Sequence, residues 1–294
     1  MSHATAEPDA QAQPPAAAPW FCPNCRLEVA TPFCPRCGER PIKTEDLTFG
    51  GALARILHAA TSVDGRVLRT FRRLLRHPGT LTKAYIEGQR KPYATPFAIF
   101  LLANVLFFTV QSLTHISVLG SNLASHLHLQ DWKELAQVLL DRHLQATHTT
   151  LAAYTPVFDR AVVVNAKSLV ILMVLPFAGL LALLFLGRRQ RFMAHLAFSL
   201  HLYAFLMLLF SLAVLFATVV AAFGGPGLES ALMDDSLSLF NLIVSGIYIP
   251  AALGPAYEIA GVQRLVKALV LTFAVPALVL GYRFAIFLIT LHTA

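Results

Sequence analysis

The chain has 294 residues, 56% of them hydrophobic and 13% charged, where a soluble domain carries about 25% charged. That composition excludes an ordinary soluble globule and points to a lipid bilayer. The formal net charge is +7, and its uneven placement along the chain carries more information than its sum.

Residues 1–19 are mostly Ala, Pro, Gln and acidic residues. They have no basic start and no apolar core of the secretory type. Too little apolar surface is available to order them, so the expectation is a disordered tail.

Residues 20–41 hold all four cysteines, as Cys22-Pro23-Asn24-Cys25 and Cys34-Pro35-Arg36-Cys37. Two C-x-x-C pairs present four thiolates to one ion, the closed tetrahedral arrangement of structural zinc. Gly38 can take the left-handed turn that lets backbone N–H groups face sulfur. The expectation is a minimal zinc ribbon whose folding energy comes mostly from the metal. A redox dithiol lacks its βαβ setting here, and disulfides need an oxidising compartment.

Residues 42–96 read as basic juxtamembrane helices. Leu47, Leu53, Ile56 and Leu57 recur at helical spacing before a break near Gly65. The next helix, to about His77, is expected to gather Val67, Leu68, Phe71, Leu74 and Leu75 on one face. Arg66, Arg69, Arg72, Arg73 and Arg76 would take the other. Such a helix suits an anionic membrane surface or a cytosolic protein partner; the alternative is a solvated face packed on the bundle. Nucleic acid is a third reading, weakened by the missing aromatic residues that strand stacking needs. A short helix from Thr80 to Glu87 follows His77-Pro78-Gly79.

The run Phe33-Cys34-Pro35-Arg36-Cys37-Gly38 is followed by Leu68-Arg69-Thr70-Phe71, Leu74-Leu75 and Pro78-Gly79. Then come Tyr85-Ile86-Glu87-Gly88-Gln89-Arg90, Tyr93 and Pro96, and a membrane span begins at once. In this order the chain resembles the bacterial membrane proteins grouped as domain of unknown function 3667, best over residues 22–110. The resemblance implies a cytosolic ribbon joined to a polytopic domain in the inner membrane. It implies no activity.

Residues 97–294 are expected to form the transmembrane domain. Five spans follow from apolar length: about Phe97–Ile116, Ser168–Leu186, Ala197–Ala222, Leu237–Tyr257 and Ala268–Leu291. Of the 23 Lys and Arg, thirteen precede Phe97. With five spans, Arg188, Arg189, Arg191, Arg264 and Lys267 join them on one side. Positive-inside counting then puts the N-terminus in the cytoplasm and the C-terminus outside. The loop 117–166 is long for a connector. It carries an expected amphipathic helix from Asp131 to Gln145 and four histidines, His126, His128, His143 and His148. Their spacing favours wet surface positions over a metal site.

Within the spans, Arg283 is the residue to weigh. A charge inside a bilayer normally faces a partner or a wet cavity, yet Arg283 is also close enough to the end of its span to snorkel. Asn104 and Asn241 read as interhelical hydrogen-bonding groups. No Gly-x-Ser-x-Gly, His-Glu-x-x-His or P-loop is present, so no enzyme is expected.

The fold expected is therefore an all-α integral membrane protein of about five spans, preceded by a four-cysteine ribbon and basic helices. Two functions compete. In the first, a non-enzymatic module anchors, senses or scaffolds, recruiting a cytosolic partner or anionic lipid; it needs a close-packed bundle. In the second, a permease handles a small solute or lipid; it needs a cavity between spans four and five that reaches Arg283.

Overall fold

The computed structural model describes residues 19–22, 27–32, 34–36, 65–87, 92–116, 118–187, 190–227 and 230–294. The chain divides into two compact units, residues 1–63 and 64–294. The expected tail, Cys25, Cys37 and the first basic helix all lie outside the described residues.

In the first unit, strands β1 (Trp20–Phe21) and β2 (Glu28–Val29) pair antiparallel, with Trp20 opposite Val29 and Phe21 opposite Glu28. In the sequence the two strands flank the first C-x-x-C pair. Cys22 donates its N–H to the Leu27 carbonyl at 2.9 Å, and the Trp20 indole donates to the Thr31 carbonyl at 2.9 Å.

The described part of the second unit is helical. Two short helices, α1 (Gly65–Arg76) and α2 (Thr80–Ile86), precede α3 (Pro96–Thr114). Then come α4 (Leu123–His128), α5 (Lys133–Thr147), α6 (Leu151–Ser168) and α7 (Ile171–Leu184). Three long helices follow: α8 (Phe192–Ala222), α9 (Ala231–Tyr257) and α10 (Gly261–Thr293).

Four of these are long and apolar enough to cross a bilayer: α3, α8, α9 from Leu232, and α10. A fifth crossing exists if α6 and α7, bent by 44° at their junction, count as one. These features are compatible with a multi-pass membrane protein.

Local chemistry explains where the helices start. Thr95 accepts a hydrogen bond from the Ala98 N–H at 3.2 Å and Pro96 occupies the first helical position of α3, both favoured N-terminal choices. Thr150 caps α6 in the same way. At ~1.5 Å per residue α8 is ~46 Å long, well beyond the ~30 Å apolar core. It is the hub: α3 packs along it, and α7, α9 and α2 also contact it. From Ala194 to Ala217 most of its residues are buried in protein, which explains a composition apolar on every side.

The second expected span, Ser168–Leu186, is not one helix. It breaks at Leu169–Val170, leaving α7 with 14 residues. At ~1.5 Å each that gives ~21 Å, too short to cross alone. The stretch 118–166, long for a bare connector, is folded into α4, α5 and most of α6. Helix α5 matches the expected amphipathic helix to within two residues at each end. Helix α6 is bound to α10: Tyr282 donates its hydroxyl to the Ala166 carbonyl at 2.6 Å, and Asn165 donates to the Thr290 hydroxyl at 3.0 Å.

Helices α1 and α2 dock on one end of the bundle. The Tyr248 hydroxyl donates to the Leu74 carbonyl at 3.1 Å, and Thr82 shares a 3.0 Å hydrogen bond with His201 Nδ1. Gly79, between the two helices, adopts φ 77° and lies so close to α9 that a Cβ would collide with the Ala252 backbone.

Candidate ligand cavity

Helices α9 and α10 run antiparallel as a hairpin, and Gly246 faces Thr272, to whose methyl an added Cβ would lie 3.6 Å away. The same register sets Ser245 beside Thr272 and Asp234 beside Arg283. On α9, Asp234, Ser238, Asn241 and Ser245 recur at intervals of four, three and four, so they form one polar stripe. Thr272, Pro276, Val279 and Arg283 recur the same way on α10. The two stripes and α8, through Phe210, Ala213 and Val214, enclose a partly open cavity of about 570 Å³. The residues before and after α4, from Val118 to Asp131, contribute to its outer wall. From Asp234 to Ser245 it extends ~16 Å along the helix axis.

One end of this space is closed by aromatic packing. Just beyond Ser245, Tyr248 stacks on Phe205 with ring centroids 3.7 Å apart. Further along, Tyr257 stacks on Phe185 at 4.1 Å, and its hydroxyl meets His195 Nδ1 at 2.9 Å. The second half of α9 is therefore buried, while its first half turns Leu239, Phe240, Ile243 and Ile247 outward.

Arg283 is half-buried at the other end. Its Nη2 donates to the Ser121 hydroxyl at 2.6 Å, while its Nε is buried without a hydrogen-bond partner. Asp131 and Asp234 line the same cavity but are exposed to solvent, and neither forms an ion pair with the guanidinium. Asn241 Oδ1 is also buried without a partner, so Asn241 does not act as the interhelical link its sequence position suggested. Pro276 has no N–H to give the Thr272 carbonyl one turn back, which leaves a backbone acceptor in the same wall.

Against Arg283 lies an aromatic cage. His126 is buried, with ring centroids 4.9 Å from Phe287 and 6.0 Å from Trp132. Its Nδ1 accepts from the Trp132 indole at 3.3 Å, so the proton of the neutral ring sits on Nε2, which has no partner. Burial, helped by the nearby Arg283 charge, lowers the His126 pKa to about 4.

The other sequence candidates are scattered. The Arg73 Nε donates to the Thr80 hydroxyl at 3.1 Å and its guanidinium lies over the Tyr93 ring, so Arg73 is part of the docked face. Arg66, Arg69, Arg72 and Arg76 are exposed, and so are Leu68 and Leu75. The inner face of α1 keeps Val67, Phe71 and Leu74 of the expected set and adds Thr70. Thr70 accounts for this shift: it donates to the Arg66 carbonyl at 2.6 Å and accepts from the Ala94 N–H at 3.0 Å.

Cys22 and Cys34 are buried in one cluster with Val29. One cysteine of each C-x-x-C pair is thus in this cluster, and the remaining two positions lie outside the described residues. Among the described residues no three potential metal ligands converge. His143 packs against Tyr154, which reaches the His126 cage through Phe158.

Residues 64–108 match the family model described as "Protein of unknown function (DUF3667)". No curated protein and no solved structure matches. The matched segment covers α1, α2 and the first part of α3, the docked end of the bundle. The cavity between α8, α9 and α10 lies outside it.

Proposed function

We propose that this chain is a multi-pass membrane protein that binds a small solute or lipid between α8, α9 and α10, as a permease or lipid-handling protein does. The cavity of about 570 Å³ that reaches Arg283 carries the reading. It falls within the ~300–1,000 Å³ of small-molecule sites, and its walls combine apolar side chains with a polar stripe. A pure anchor or scaffold gives no reason to keep a half-buried guanidinium and a buried amide oxygen beside an open space.

Native mass spectrometry of the full chain in mild detergent tests this. Wild-type protein should retain one or more small molecules that Ala213→Trp, which fills the wall, releases. Identical bare masses for both proteins would contradict it.

A second reading, recruitment of an anionic membrane surface or a cytosolic partner, draws on a different observation. Leu68 and Leu75 are exposed among Arg69, Arg72 and Arg76, a pairing suited to lipid headgroups. Structural zinc on Cys22, Cys25, Cys34 and Cys37 belongs to either reading. So do the inner-membrane location and a cytoplasmic N-terminus.

A further inference from the structure

We infer that the occupant of the cavity is a single-chain amphiphile with an anionic head, its head on Arg283 and its tail between α8, α9 and α10. This rests on the ligand-binding reading above and deepens it.

The charge sets the head. Arg283 is half-buried and its single hydrogen bond goes to a neutral hydroxyl. The guanidinium feels Asp234 through space but holds no anion in contact, and its planar donor set suits a carboxylate or phosphate. Asp131 and Asp234 are solvated, so their fields are screened at the rim. Ser121 offers a second donor once an anion takes over the guanidinium, because its hydroxyl proton can rotate.

The walls set the tail. Beyond Arg283 the cavity has an apolar side, Phe210, Val214, Leu242, Val275 and Val279, which takes the chain, and a polar side, the stripe from Ser238 to Ser245. At ~30 Å³ of liquid-like volume per heavy atom, 570 Å³ accommodates about 20 heavy atoms. That fits one acyl chain with its head. A two-chain phospholipid has more than twice that count and would leave one chain outside the cavity. A small inorganic anion would leave the apolar length unfilled.

Trp132 provides the readout. Its ring lies 5.5 Å from Phe284, the neighbour of Arg283, and Trp20→Phe leaves it as the sole tryptophan. Full-length protein in neutral detergent is titrated with dibromostearate, whose bromines quench nearby indoles. The expected result is saturable quenching, reversed by stearate and not by stearyl alcohol or inorganic phosphate. Arg283→Gln should weaken it at least tenfold, with partial recovery in Arg283→Lys. Should Arg283→Gln fail to fold, Val279→Phe, which keeps the guanidinium and fills the tail channel, should weaken it instead.

Several results overturn the inference. Equal displacement by stearyl alcohol, with Arg283→Gln unaffected, removes the anionic head. Displacement by phosphate assigns the site to a free anion. Displacement by hexadecyltrimethylammonium and not stearate gives control to Asp131 and Asp234. No saturable quenching removes the amphiphile, yet a small molecule retained in the mass spectrum would keep the cavity reading intact.

Discussion

Arg283 and His126 meet in one place, and each predicts something separate. Replacing Arg283 by Met removes one hydrogen bond from a charged donor, worth about 1.5–3 kcal/mol net, and also removes a half-buried charge whose desolvation opposes folding. The two nearly cancel. The melting temperature of ligand-free Arg283→Met should stay within ~4 °C of wild type. A larger drop in thermal scans would make Arg283 a structural residue. His126 has the opposite signature. Its folded pKa of about 4 lies below the unfolded ~6.5. Between those values the unfolded state binds more protons, so the contribution is complete above pH 6.5 and is lost as pH falls toward 4. The loss is on the order of 2 kcal/mol after partial screening. Thermal melts over that window should show the decline, and His126→Leu should flatten it. Arg283 was legible in the sequence because a charge in an apolar run stands out. Its partner Ser121 was not, since a serine 162 residues away carries no local signal. The stripe Asp234-Ser238-Asn241-Ser245 was present in helical periodicity. It stayed hidden because single polar residues in a span more often bond a neighbouring helix.

Among the elements, the α1–α2 hairpin carries the sharpest stability prediction. Gly79 needs a left-handed backbone and close approach to α9. Gly79→Ala adds roughly 1–2 kcal/mol of backbone strain and roughly 1–3 kcal/mol of overpacking against a backbone that cannot yield. Folded yield in detergent and melting temperature should both fall. An unchanged melt would mean the hairpin does not dock there. Helix α1 was legible as an amphipathic helix, and Val67, Phe71 and Leu74 of its expected inner face do pack on the core, but Leu68 and Leu75 do not. Leucine content put Leu68 and Leu75 inward, whereas the hydrogen bonds of Thr70 turn that residue inward instead. The bend between α6 and α7 was missed for a related reason. Apolar residues run through Leu169 and Val170 without a Gly or Pro at the break, so hydropathy reads on where the helix stops.

On the scale of the whole molecule, the four-to-five count of crossings decides sidedness. If α6 and α7 cross together, five spans put the two ends of the chain on opposite faces; if they re-enter, four put them on the same face. The positive-inside tally favours five. A reporter fused after Ala294 should then be extracytoplasmic, and a cytoplasmic reporter would make α6–α7 re-entrant. Zinc is an independent matter for the first unit. About one zinc per chain is expected by metal analysis, abolished by Cys22→Ser with Cys37→Ser, and a metal-free folded ribbon would contradict it. The helical membrane class was legible from composition alone, because apolar length is written locally. The cavity was only half legible: its charged end was visible, and its walls depended on how α9 diverges from α8.

The most direct measurement is maleimide labelling, counted by mass, in membranes open to reagent on both faces. A cysteine at Ser238, on the cavity stripe, is compared with one at Ile243, on the outward face of the same helix. One additional adduct on Ser238→Cys and none on Ile243→Cys is the expected result once bound amphiphile has been stripped, since only the first then faces a wet cavity. Equal protection of both would mean that α8, α9 and α10 enclose no accessible space.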